Sequence, residues 1–247
     1  MLAGVLAGLL AFGIAKIFGE PELDRAIAFE EQMDKAAASS SSMPGMDMSN
    51  AEAAQPELVS RKVQSGLGLF TGVMIYGAAF GGLFALVFAF AYGRIGSLSP
   101  RATSALLAGA AFLSLALAPA IKYPANPPAV GNPDTIDQRT ELYFGMMFIA
   151  IAAMALAIVL VRRLAQRLGG WNASLVGAAV FLALVGLAQL LLPDINEVPG
   201  QFSASLLWRF RITSLGIEAV LWTTIGLVFG ALAEPLLRSQ RRPPAFA

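Results

Sequence analysis

The 247-residue chain contains no cysteine and no histidine. The first absence removes disulfides, thiolate nucleophiles and iron–sulfur ligation; the second removes Ser-His-Asp triads and histidine zinc sites. Charge is scarce as well. Only 13% of residues are Asp, Glu, Lys or Arg, against roughly 25% in soluble domains. With 17 Lys+Arg against 16 Asp+Glu the net charge is +1, so no polyanion partner is indicated and no nucleic-acid function is expected. Apolar bulk fills the space that charge leaves: 57% of residues are hydrophobic and the mean hydropathy is +0.67. A soluble fold of this length would have to bury nearly every segment. The composition excludes a water-soluble enzyme and predicts an integral membrane protein.

A helix needs about 20 mainly apolar residues to cross roughly 30 Å of hydrocarbon. Six stretches qualify: residues 2–18, 69–93, 102–121, 142–161, 173–192 and 212–233. The expected fold class is therefore all-α, a polytopic bundle of six transmembrane helices. Lys16 lies near the end of the first span, where its side chain can snorkel to the interface. A cleaved signal peptide competes for residues 1–19, but that segment lacks a basic leading region and a small-x-small cleavage site, so it is expected to remain as a span. Orientation follows from the basic residues. The loops on the amino-terminal side hold Arg94, Arg101, Arg162, Arg163, Arg167, Arg238, Arg241 and Arg242 against Glu234 alone, and two of them are short. The opposite loops carry as many basic residues but most of the acids. Both termini are expected in the cytoplasm, with the acidic side outside.

Three regions follow: the first span over 1–18, an extracytoplasmic segment over 19–65, and a five-helix bundle with a short cytoplasmic tail over 66–247. In the middle region Pro21 suits a first helical turn, and Glu22 and Asp24 favour that end. Leu23, Ala26, Ile27, Phe29 and Met33 recur at helical spacing, so 21–37 reads as an amphipathic helix, fit to lie on the outer membrane surface. Residues 36–54 are low in complexity and read as a linker. A second short helix is expected to start near Pro56. GLGLFTG at 66–72 has the look of a nucleotide loop, but it follows no strand and opens a span.

Several residue sets could carry chemistry. Met43, Met46 and Met48, with Asp47 among them, offer soft thioether ligands suited to Cu(I), plus one hard oxygen; a linker that merely contains Met is the alternative. Glu30 and Asp34 stand one turn apart on the outer helix and could collect cations. Glu218 lies about 9 Å inside its span, counted from Ile212 at 1.5 Å per residue. Arg211, Ser214, Glu218 and Trp222 fall on one stripe. Intramembrane acids mark ion paths, or else form a structural pair with an interfacial Arg or stay protonated. Gln189, Glu141, Tyr143, Lys122, Tyr123, Asn126, Asp194, Asn196 and Glu197 gather at the same outer level, which suggests a polar vestibule narrowing to Glu218 or an ordinary wet interface. Met74, Met146 and Met147 lie deeper, as path or as core filler. The loop KYPANPPAVGNP (122–133) is stiff and exposes carbonyls, so it reads as a mouth or a connector. Small-xxx-small pairs at Gly4/Gly8, Gly68/Gly72, Gly77/Gly81 and Gly226/Gly230 allow close helix packing.

The strings GEPELDRAIAFEEQMD (19–34), ELVSRKVQSGLGLFTG (57–72), GGLFALVFAFAYGRIG (81–96), KYPANPPAVGNPDTI (122–136), LPDINEVP and LLWRFRITSLGIEAVLW (to 222) resemble the predicted cobalt transporter subunit family CbtA. The resemblance covers nearly the whole chain. It implies a multi-pass subunit of the bacterial inner membrane that moves cobalt, often beside a single-span CbtB companion. No ligand set carries over with it. The metals to consider are Co(II), with Cu(I) or Ni(II) as alternatives, and no other cofactor is implied. The competing function is a non-transporting accessory subunit of a larger membrane complex. An enzyme acting on lipid or quinone would have to rely on Glu141 and Glu218, which no constellation of roles accompanies.

Overall fold

The computed structural model describes residues 1–40 and 59–239, and among these every regular element is helical. α1 (Leu2–Ile14) passes through a π-helical turn (Ala15–Gly19) into α2 (Glu20–Ser40). Both junction residues, Ile14 and Glu20, keep right-handed helical angles. Leu2–Ala36 is thus one helix of 35 residues, about 52 Å at 1.5 Å per residue. Hydrocarbon takes up about 30 Å of that, and α2 extends beyond it as a continuation of α1 instead of turning aside onto the surface. α3 (Arg61–Val63) leads through a second π turn (Gln64–Gly68) into α4 (Leu69–Ala91), and α5 (Pro100–Ala111) through a third (Phe112–Leu117) into α6 (Ala118–Lys122). Ser99 caps α5, its Oγ accepting from Ala102 N at 3.2 Å with Pro100 in the first turn, the arrangement a helix start favours. α7 (Ile136–Leu191) and α8 (Ala204–Ser239) complete the chain.

Among the described residues five helical stretches are long and apolar enough to cross a membrane, and α7 at 56 residues is far longer than one crossing requires. It is not straight. Gly169 has φ 76° and ψ 160°, outside helical geometry, and only glycine adopts such a conformation freely. Beyond it the helix folds back: a Cβ on Gly177 would fall 2.4 Å from Val161 Cγ2 and 3.2 Å from the Ala157 carbonyl. Residues 136–168 and 170–191 are therefore two antiparallel limbs, packed through Met146, Ala150, Ala153, Ala157, Phe181, Val185 and Ala188.

Side chains sort by size in the inverse of a soluble protein. Ala3, Ala7 and Ala11 of α1 are at most 2% exposed, while Leu2, Leu6, Leu9 and Leu10 are 47–72% exposed. Small residues inside and large ones outside is the pattern that lipid imposes, because close backbone approach, not removal of leucine from water, drives helix association there. The chain is a membrane helical bundle. α1 crosses α4 through glycine on both sides: a Cβ on Gly4 would lie 2.1 Å from Gly77 O, and one on Gly81 2.7 Å from Gly4 Cα. Gly68 and Gly72 make no such crossing. α1, α4, α5 and α8 share one core, with Phe80 edge-on to Trp222 and Phe84 edge-on to Phe229. We call the end bearing loops 123–135 and 192–203 the upper end. There Ala26 of α2 packs with Val130, Phe202 and Leu207, and Phe29 meets Phe202 edge-on at 5.1 Å.

Candidate functional site

The third crossing helix opens the site. Its lower half lies tight against α8, where Ser104 Oγ donates to Gly226 O at 2.7 Å. A Cβ on Gly226 would stand 2.5 Å from Ala108 Cβ, and one on Gly230 3.0 Å from Arg101 Cα. The upper half belongs to α7 instead. Pro119 has no N–H and its ring crowds the carbonyl four residues back; that carbonyl, Leu115 O, accepts from the Tyr143 hydroxyl at 3.5 Å. Gln189 Nε2 donates to Ala118 O at 2.9 Å, and Lys122 Nζ donates to Gln189 O at 2.7 Å and to the Asp194 carboxylate. Held at the bottom by α8 and at the top by α7, the helix leaves a cavity of about 580 Å³ between α6, the first limb of α7 and α8.

Most of the cavity wall is apolar, and its polar groups come from three places. Tyr123, Pro124 and Asn126 enter from the KYPANPP loop, Arg139, Thr140 and Tyr143 from the start of α7, and Arg211, Ser214 and Glu218 from one stripe of α8. Arg211 donates through its Nη2 to Asn126 Oδ1 at 2.8 Å. Arg139 is matched by Glu197 at 2.8 Å, whereas Arg211 has no carboxylate partner among the described residues, and its Nε is enclosed without a hydrogen bond. The pairing of Glu218 with an interfacial Arg that the stripe allowed does not form. Glu218 accepts instead from the Tyr76 hydroxyl of α4, at 3.4 Å. It also borders a second cavity of about 320 Å³ with Ala11, Gly72, Val73 and Tyr76, so one carboxylate faces two chambers.

The other residues singled out in the sequence fall into three groups. Met43, Met46, Asp47 and Met48 lie outside the described residues. Glu30 and Asp34 are exposed on α2, remote in the chain from Glu218, and no group of three or more acidic side chains able to hold a metal occurs among the described residues. Lys122, Gln189, Asp194 and Glu197 are structural ties: Glu197 accepts from the Thr135 hydroxyl, from Asn132 N at 3.0 Å and from Arg139. The Thr135 hydroxyl bond above all, helped by Asn132 and Arg139, holds the Glu197 carboxyl below the usual carboxylate range. Met146 is fully buried filler, and Met74 packs on Gly8. Among the outer acids, Glu20 and Asp24 are taken by Arg61 at 2.6 and 2.9 Å, while Lys16 reaches Ser65 O at 2.9 Å. Tyr76, Arg139 and Trp208 were not foreseen at the cavities. Arg139 and Tyr143 are one turn apart, a spacing that could have signalled Arg139, and Tyr76 is the one hydroxyl in the apolar stretch between Thr71 and Tyr92.

Fold and cavity together define a multi-pass α-helical membrane protein with a largely apolar cavity at one end that holds a few polar and charged side chains. The family model described as probable cobalt transporter subunit (CbtA) matches residues 1–234. The chain belongs to that family, a transporter subunit and thus a component of a larger transport system, not an enzyme in the usual sense. No curated protein and no solved structure matches it significantly.

Proposed function

We propose that this chain is the membrane subunit of a transition-metal transport system, with cobalt as cargo, and that Glu218 is the intramembrane carboxylate the cargo meets. The observation that carries this reading is the position of Glu218 beside two cavities, with Tyr76 as its hydrogen-bond partner and, among the described residues, no basic residue paired to it. An ionisable residue at membrane depth that faces chambers instead of a counter-ion is the arrangement expected along an ion path. The reading takes six crossings, the limbs of α7 counting as two, with both termini in the cytoplasm of a bacterial inner membrane, so that the upper end is outside. Glu30 and Asp34, exposed on the projecting α2, serve as first collectors of cations, and Met43, Met46, Asp47 and Met48 extend that collecting arm with soft ligands. Co(II) suits the carboxylates better, and Cu(I) the thioethers, with Ni(II) between. A single-span CbtB-type chain is the companion. Among the described residues no nucleotide-binding loop occurs, so the membrane potential or a partner supplies the energy.

The test is cobalt accumulation by cells carrying the full transport system with Glu218→Gln or Glu218→Leu. Accumulation should fall at least about ten-fold in both while the chain still assembles, since the proposed path loses the carboxylate that faces both cavities. Unchanged accumulation with normal assembly would instead make this chain an accessory subunit without a path of its own.

A further inference from the structure

Arg211 and Glu218 are seven residues apart on α8, two turns along one face, which separates their backbones by about 10 Å. Both line the larger cavity. Arg211 is charged at any working pH and carries five donors in a fixed fork. Among the described residues Arg211 bonds to Asn126 and no carboxylate answers its charge. A guanidinium without a counter-anion at the edge of a bilayer is costly. A bare cation moving down to Glu218 from the upper end would have to pass this charge, which repels it.

Size points the same way. Six waters at about 30 Å³ each take up about 180 Å³, a third of the 580 Å³ available. Leu117, Ile121, Ile212 and Leu215 line this cavity together with the hydroxyl-bearing Thr140, Tyr143 and Ser214. The apolar part of the wall gives a hydrated ion nothing to bond, and gives an organic body a surface to lie against.

We propose that the cavity takes its metal as a complex with a small organic carboxylate, the anionic end held by Arg211 and Asn126 and the metal end facing Glu218. This rests on the transport reading above and names the form of the cargo. No covalent step is involved. Arg211 supplies the charge-assisted contact, Asn126 orients the guanidinium from the KYPANPP loop, and Glu218 offers a carboxylate to the metal end. A phospholipid phosphate is another oxyanion able to reach such a guanidinium, so the test must tell the two apart.

The experiment is equilibrium dialysis of the purified full-length chain in mild detergent against radiolabelled cobalt, given as the chloride and as the citrate complex. Retained lipid is measured on the same samples by native mass spectrometry. The citrate complex should bind at least about ten-fold more tightly than the chloride, and Arg211→Gln should remove most of that difference, as loss of a charged hydrogen-bonding partner does. Arg211→Lys should restore part of it, and Asn126→Ala, a loop change, should weaken it in smaller degree, which separates the effect from misfolding. Cobalt binding to the wild type as tightly from the chloride as from the citrate complex, with Arg211→Gln changing neither, would overturn the proposal in favour of a bare ion and leave the transport reading intact. Phospholipid held by the wild type and lost from Arg211→Gln, with cobalt binding equal in both, would overturn it in favour of a lipid site. If neither cobalt form binds and Glu218→Gln leaves cellular accumulation unchanged, the transport reading falls and this inference falls with it.

Discussion

At the scale of single residues, the ionised groups of the upper end divide into ties and unanswered charges. Lys122 with Asp194 ties the 192–203 loop to α6 and Arg139 with Glu197 ties it to α7, whereas Arg211 and Glu218 line the cavity without ionic partners among the described residues. The Glu197 tie has a pH signature. Its carboxyl titrates lower folded than unfolded, so its stabilisation is fully present above the unfolded value of about 4.3 and is lost as pH falls through the folded value. Thermal denaturation in detergent should therefore show the wild type losing stability on acidification below about pH 4.3, while Glu197→Gln, already without the charge, loses less over the same window. Equal slopes in the two proteins would mean that this carboxylate is not what holds the loop.

At the scale of elements, two devices shape the bundle: glycine crossings and a proline. The α1–α4 and α5–α8 contacts bring backbone to backbone, so an added side chain has nowhere to go. Gly81→Leu should cost about 1–3 kcal/mol or more by overpacking, read as a lowered Tm. Gly145→Ala is the control, since nothing lies within 4 Å of a Cβ there, and it should be neutral or raise stability by up to about 1 kcal/mol. Pro119 acts differently, by excluding the Leu115 carbonyl from the helix ladder. Pro119→Ala should restore a backbone donor to the third helix, raise the Tm and narrow the cavity, with a parallel fall in cobalt accumulation. A higher Tm with full accumulation would separate the cavity from transport.

At the scale of the whole molecule, the inverted core makes the bundle dependent on lipid. Alanine and glycine seams provide little hydrophobic drive in water, and the large apolar side chains on the outside require hydrocarbon around them. The proposed topology can be checked without background because the chain has no cysteine of its own. A membrane-impermeant thiol reagent applied to intact spheroplasts should label Cys introduced at Gly200 or Gln201, and should spare Cys introduced at Ser97 or Gln166 until the membrane is opened. Labelling of Ser97→Cys from outside would invert the assignment.

The sequence by itself determined the class and the local structure. Hydropathy and helical spacing act over neighbouring residues, so each apolar block falls on helix, and the stripe joining Arg211, Ser214 and Glu218 is legible because i, i+3 and i+7 share a face on any helix. The family could be recognised in the same way, from contiguous strings such as KYPANPP. What spacing along one helix cannot say is which neighbour it meets. The extension of α2 straight from α1, the fold-back at Gly169, the capture of Lys122 and Glu197 as ties, and the arrival of Tyr76 at Glu218 across 142 positions of chain were decided only by packing. The cavity itself exists because one helix is held by α8 at its lower end and by α7 at its upper end, a balance of contacts between distant segments that no local pattern encodes.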